Sequence, residues 1–220
     1  MVYIQDIGFV GHCHYAHTAS GTVPVEIALS CLRDPSSACI TVDITSERFT
    51  SKNYQTNQWI FRNQSKLPFP YKGKYSLDKA RAVIKRLYAE KDAGQGLYMA
   101  VKGHSQMDFF KSCGLPVCEI KTEVLGDCPK YDELPIPSEQ LNKPCEIHLA
   151  GDDYRCSKRV AFAFARYLES REGDQLLVLQ PDEMDDDGEV NESVIIQMNR
   201  DETKPLCFVK NNIHFTILLK

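Results

Sequence analysis

The sequence predicts a mixed α/β domain with a small C-terminal β extension, on three observations: a strand-rich opening, a middle that alternates helix with strand, and a final amphipathic helix. Residues 2–10 read as a buried first strand. Gly11 to Gly21 reads as a turn leading to a second strand over residues 23–32. In residues 38–44, Ile40 and Val42 alternate with Thr41 and Asp43, which gives a third strand and completes an antiparallel meander. Residues 46–74 keep no steady period and contain Pro68, Pro70 and Gly73, so they read as a long irregular connection.

Ser76 has the character of an N-cap, with Asp78 in the first turn that follows. Leu77, Ala80, Val83, Ile84, Leu87 and Tyr88 then form one helical stripe running to about Lys91. A short strand over residues 97–101, a helix over 105–113 stopped at Gly114 and a strand over 117–120 have the alternation of a sheet with parallel members. The last helix covers about residues 156–170, with Cys156, Val160, Phe164, Tyr167 and Leu168 on its inward face. The expected division is a domain at 1–170, then an acidic linker and β extension at 171–220, where residues 193–198 and 206–219 alternate.

A composition of 43% hydrophobic and 25% charged residues is that of an ordinary globular protein. The chain has neither a basic start followed by an apolar run nor a stretch of roughly 18 to 20 apolar residues, so the expected location is cytoplasmic or nuclear, neither secreted nor in a membrane. In that compartment nine cysteines, an odd number, point to metal binding or burial and away from a disulfide framework. The net charge of -4 conceals a division. From Arg48 to Lys91, eleven Lys or Arg face only Asp78 and Glu90, whereas from Glu169 to Glu192 ten carboxylates face only Arg171.

Three strands, helix, strand, helix, strand, helix is the element order of the RNase H-like exonucleases, whose motifs have counterparts here. Asp6-Ile7-Gly8 corresponds to the first-strand Asp-x-Glu, Glu26-Ile27 to the Glu-Ile of the second strand, His104 to Asp108 to the later helix start, and His148 to Cys156 to the approach to the last helix. Asp6 and Asp108 are in place, but Gly8 and Cys156 stand where carboxylates belong. A pair of Mg²⁺ or Mn²⁺ ions needs more carboxylates than these. A cleaving enzyme would draw its general base and its cation from Asp6, His104 and Asp108, with Lys102 or the histidine-containing turn at His12, Cys13, His14 and His17 as further sources.

A second ligand set occupies the same region. Cys145-x2-His148-x7-Cys156 has thiolate and imidazole at a spacing suited to tetrahedral zinc, and Glu26 on the neighbouring second strand is the candidate fourth ligand. Pro24-Val25-Glu26-Ile27, Cys145-Glu146-Ile147-His148 and Tyr154-Arg155-Cys156-Ser157 together resemble the Maelstrom domain, over about residues 1–170. The resemblance implies an RNase H-like fold with a structural zinc on Glu26, Cys145, His148 and Cys156. It also implies engagement of single-stranded RNA, a place among RNA-silencing proteins and a possible endoribonuclease activity. Lys52, Trp59, Arg62, Lys66, Lys72, Lys74, Lys79, Arg81, Lys85 and Arg86, interleaved with Tyr54, Phe61, Phe69, Tyr71 and Tyr75, are the candidate RNA contacts, because cations follow phosphates and aromatic faces stack on unpaired bases. A metal-dependent exonuclease and a non-catalytic interaction module are the alternatives.

Overall fold

Alternation of side chains between two buried faces makes the first two strands into a hairpin that serves two cores. In β1 (Ile7–Thr18), Phe9 and Cys13 point to one core and Val10 to the other; in β2 (Gly21–Cys31), Val25, Ile27 and Leu29 take the first side while Glu26, Ala28 and Ser30 take the second. The computed structural model describes residues 2–34, 36–134, 147–148 and 156–172, with the backbone of four short strands beyond them. β3 (Ser37–Thr41), β4 (Tyr98–Val101) and β5 (Val117–Glu119) complete a sheet of order β3-β2-β1-β4-β5, in which the first three strands are antiparallel and β1, β4 and β5 run parallel. The chain is thus mixed α/β, the five strands of this sheet flanked by helices as expected.

Helices cover both faces, as a sheet with parallel members requires. On one side, α2 (Leu77–Asp92) brings Ala80, Ile84 and Tyr88, and α3 (His104–Ser112) brings Phe109 and Phe110, against Phe9, Ile27, Met99 and Val101. On the other, α4 (Ser157–Ser170) packs Val160, Ala161, Phe164 and Leu168 against Ile7, Val10, Ala28 and Ala100. Ala161, Ala163 and Ala165 are all buried and let this helix lie close to the sheet. Ser76 caps α2 through its hydroxyl, which accepts from the Lys79 N–H.

The first strand differs from its expected span. Ile4–Asp6 form a single 3₁₀ turn, and the strand then runs through the whole histidine-containing stretch, so that only Ala19 and Ser20 remain as the turn. Gly11 is a packing glycine inside the strand: a Cβ there would lie 2.6 Å from the Phe110 ring and 2.8 Å from the Met99 sulfur. The 46–74 segment is also more ordered than its irregular pattern predicts. It contains α1 (Ser51–Ile60), capped by Thr50, and a π-helical turn at Phe61–Ser65. α1 buries only Asn57 and is held by amide side chains: Asn57 exchanges hydrogen bonds of 2.8 and 2.7 Å with the His17 backbone, and Asn53 donates to the Thr18 carbonyl at 3.0 Å.

β1 extends beyond the end of β4, and side chains take over its edge groups there. Gln106 accepts from the Cys13 N–H at 2.7 Å and donates to the Cys13 carbonyl at 2.9 Å, the pairing a further strand would supply. At the other edge, residues 71–75 lie along β3. Ile44 N–H donates to the Tyr71 carbonyl, Tyr75 N–H to the Thr41 carbonyl and Asp43 N–H to the Tyr75 carbonyl.

Glu119 closes the junction between β4 and α3. Burial raises its carboxyl pKa, but hydrogen bonds from Gly103 N–H at 2.9 Å, Thr122 N–H at 2.8 Å and the Thr122 hydroxyl at 3.0 Å outweigh that and hold it below the usual glutamate range. With the native value depressed, its stabilisation is present above the unfolded pKa and is lost as pH falls through the native one. Glu119→Gln is expected to cost about 1–2 kcal/mol at neutral pH and much less once the wild-type carboxylate is protonated. Urea midpoints of both proteins followed from pH 7 down through the acid range check this: the gap should narrow as pH falls through the native pKa of Glu119, and a gap that stays constant throughout would contradict it.

The chain divides into two compact units, Met1–Ser170 and Arg171–Lys220. In the second, β6 (Leu177–Val178) pairs antiparallel with β7 (Ile195–Ile196), and β8 (Leu206–Lys210) with β9 (Ile213–Ile217).

Candidate metal centre

The alternation of β2 sends Glu26 to the α4 face, where it is fully buried. Cys156 immediately precedes α4, and its carbonyl accepts from Val160 N–H, so the start of the helix fixes the thiol in place. His148 arrives beside Ile147, which packs against the opposite core. Ligand atoms of Glu26, His148 and Cys156 all lie within 4.8 Å of one another, and all three residues are buried.

His148 is oriented by the main chain. Its Nε2 lies 2.7 Å from the Ser65 carbonyl, which only accepts, so Nε2 is the donor in that contact. Metal-ligating histidines characteristically hold the ring this way, with one nitrogen donating to a carbonyl. The same Nε2 is 3.6 Å from Glu26 Oε1. A fully buried carboxylate beside imidazole and thiolate is a donor set that suits a divalent cation. The cluster can hold a metal ion.

Two further side chains reach Glu26. His14, its cross-strand partner, places Nε2 at 4.0 Å from Oε2, and the Cys39 thiol lies 3.9 Å from Oε1. His12 stacks edge to face on His14 with ring centroids 5.1 Å apart. Burial, with His14 adding to it, pushes the His12 pKa well down, so its ring is neutral at pH 7. The expectation of a histidine-containing loop is therefore corrected: these residues are strand residues, and His12 and His14 share the α4 face with Val10. The i, i+2 spacing carried that signal, but only once the strand is allowed to continue past Val10. Cys39 had no such signal, because its place beside Glu26 depends on the β2–β3 register, in which Cys39 faces Ala28 and Thr41 faces Glu26. Cys145 lies outside the described residues.

The residues assigned to cleavage do not assemble. Asp6 ends the 3₁₀ turn ahead of Ile7, which pairs with Tyr98 at the beginning of β4, whereas His104 and Asp108 follow the end of β4. Four strand residues, roughly 13 Å at ~3.3 Å each, separate the two ends. His104 and Asp108 are exposed on α3, which packs on the opposite face of the sheet from Glu26. Lys102 turns toward α4, donating to the Pro129 carbonyl with its ammonium 5.4 Å from the centre of the Phe164 ring.

The candidate RNA contacts fall into two groups. Lys52 and Trp59 lie on α1, Arg62 on the π-helical turn and Lys66 just after it; Lys72 and Lys74 lie on the segment beside β3, and Lys79, Arg81, Lys85 and Arg86 on α2. Arg81 pairs with Asp78 at 3.1 Å and Arg86 with Glu90 at 3.4 Å, and Lys74 and Lys79 both sit over the Tyr75 ring. No helix among the described residues is long and apolar enough to cross a membrane. Compared with protein-family models, curated proteins and solved structures, the chain matches none.

Proposed function

We propose that this chain is a zinc-binding RNase H-like module that engages single-stranded RNA, as its resemblance to the Maelstrom domain implies. The buried cluster of Glu26, His148 and Cys156 is the observation that supports this most, because it joins the second strand to the start of the last helix with donors suited to zinc. Cys145 would complete the set, with Cys39 or His14 as the neighbouring donors within reach of Glu26. Bound there, zinc supplies charge and cross-linking. A site closed by protein ligands leaves no position for substrate, so the metal stabilises the fold and the RNA lies elsewhere.

Cations provide the RNA contacts. No Asp or Glu occurs between Arg48 and Leu77, while Lys52, Arg62, Lys66, Lys72 and Lys74 are exposed along that stretch. Each phosphate neutralised is expected to add roughly -0.7 to the log–log salt slope of binding to a single strand. Fluorescence anisotropy of a labelled single-stranded RNA tests the proposal. The joint variant Lys52→Ala, Arg62→Ala, Lys66→Ala should bind more weakly with a flatter salt slope, and unchanged affinity and slope would contradict it. Incubation of the same RNA with and without chelator tests for cleavage, and intact RNA in both arms selects the binding module.

A further inference from the structure

The sole tryptophan of the chain, Trp59, is 59% exposed at the end of α1, although its neighbour Phe61 is buried. It stands on the rim of an open cleft of about 690 Å³. Phe61, Leu67 and Phe69 form the apolar floor, and Trp59, Arg62 and Asn63 the rim. The floor is stiff. Phe69 meets Phe49, Tyr54 and Phe61 edge to face, all with ring centroids 5.0–5.1 Å apart.

The rim is also built. Asn63 donates its side-chain amide to the Trp59 carbonyl at 2.8 Å, which ties the end of α1 that carries Trp59 to the turn that carries Arg62. That turn ends at Ser65, whose carbonyl is held by His148. Arg62 makes no ion pair among the described residues, and the surrounding stretch is cationic throughout. An exposed indole face, an apolar floor and a guanidinium beside them match one ligand chemistry: a planar heteroaromatic ring attached to a phosphate.

We infer that the Trp59 cleft takes an unpaired nucleobase of a single-stranded polynucleotide, the indole stacking on the base and Arg62 holding the adjoining phosphate. This rests on the RNA-binding proposal and locates it. Stacking is sequence-tolerant, since every base has a π-face, so the cleft would anchor a strand without reading its sequence.

Trp59 emission from the full chain reports the contact directly. Short oligoribonucleotides, oligodeoxyribonucleotides and an abasic oligomer of equal length and charge serve as probes, and anisotropy of labelled oligomers gives affinity independently. The expected result is quenching by base-bearing oligomers and none by the abasic one, with Trp59→Ala weakening binding by roughly 5- to 100-fold, the range base–aromatic stacking supplies, and Trp59→Phe restoring most of it. Whichever of the ribose and deoxyribose strands quenches at lower concentration identifies the source of the base. Oligomers that bind without changing Trp59 emission, or equally well to Trp59→Ala, overturn the cleft assignment and leave RNA binding standing. An equal effect of the abasic oligomer also overturns it, and no anisotropy change with any oligomer overturns both proposals.

Discussion

His148→Ala is expected to lower the thermal midpoint of the chain by on the order of 10 °C. The substitution removes one of the three buried side chains of the Glu26, His148 and Cys156 cluster, and breaking a buried charged set by deleting one partner costs about 3–5 kcal/mol. For a chain of this size each kcal/mol moves the midpoint by roughly 2–4 °C. The damage spreads along a traceable route. His148 also holds the Ser65 carbonyl, so its loss loosens the Phe61–Ser65 turn that forms one wall of the Trp59 cleft. Thermal melts of wild type and variant, each with and without a strong chelator, separate metal from packing. Chelator should bring the wild type close to the variant and leave the variant unmoved, and a wild-type melt indifferent to chelator would contradict the prediction.

Gly73→Ala is expected to cost about 3 kcal/mol by detaching residues 71–75 from the edge of β3. A Cβ at this position would lie 2.2 Å from the Val42 carbonyl carbon, 2.4 Å from its oxygen and 2.6 Å from the Asp43 nitrogen. Those are backbone atoms, which cannot swing aside as the end of a flexible side chain does. The 71–75 segment must then move outward, and three backbone hydrogen bonds along the β3 edge go with it, each worth on the order of 1 kcal/mol. Lys72 and Lys74 move too. Hydrogen exchange resolves the cause: the Asp43 and Ile44 amides, bonded to Tyr75 and Tyr71, should lose protection, while the Val42 amide, bonded to Val25, should keep it. Equal protection of all three in the variant would show that the edge contact survives.

Where burial follows a simple period, the fold was legible in the sequence. α2, α3 and α4 and the strands β2, β4 and β5 lie close to their expected places because apolar stripes and glycine stops mark them. α1 was not legible, since Asn53 and Asn57 secure it through backbone hydrogen bonds and no apolar stripe exists to detect. β1 was placed too early because Gly11 and the histidines look like turn residues. The role of Gly11 in the strand depends on Phe110 and Met99, nearly a hundred residues away, filling the space a side chain would need.

The candidate metal cluster was legible because its donors are chemically distinctive and His148 and Cys156 lie close together in sequence. Glu26, His148 and Cys156 converge as the sequence predicts, whereas Asp6 and Asp108, matched by short motifs alone, end on different parts of the sheet. The difference is physical. Buried sulfur, imidazole and carboxylate at one point are a donor set that suits a cation, whereas a lone aspartate on a 3₁₀ turn (Asp6) or on the exposed face of α3 (Asp108) needs no such partner to be where it is.

Metal content of the purified chain, measured by elemental mass spectrometry on wild type, His148→Ala and Cys156→Ala, bears most directly on the proposed centre. Zinc near one equivalent in the wild type and well below it in both variants is the expected result. Equal zinc in all three proteins, or none in the wild type after purification in zinc-supplemented buffer, would contradict a metal centre at Glu26, His148 and Cys156.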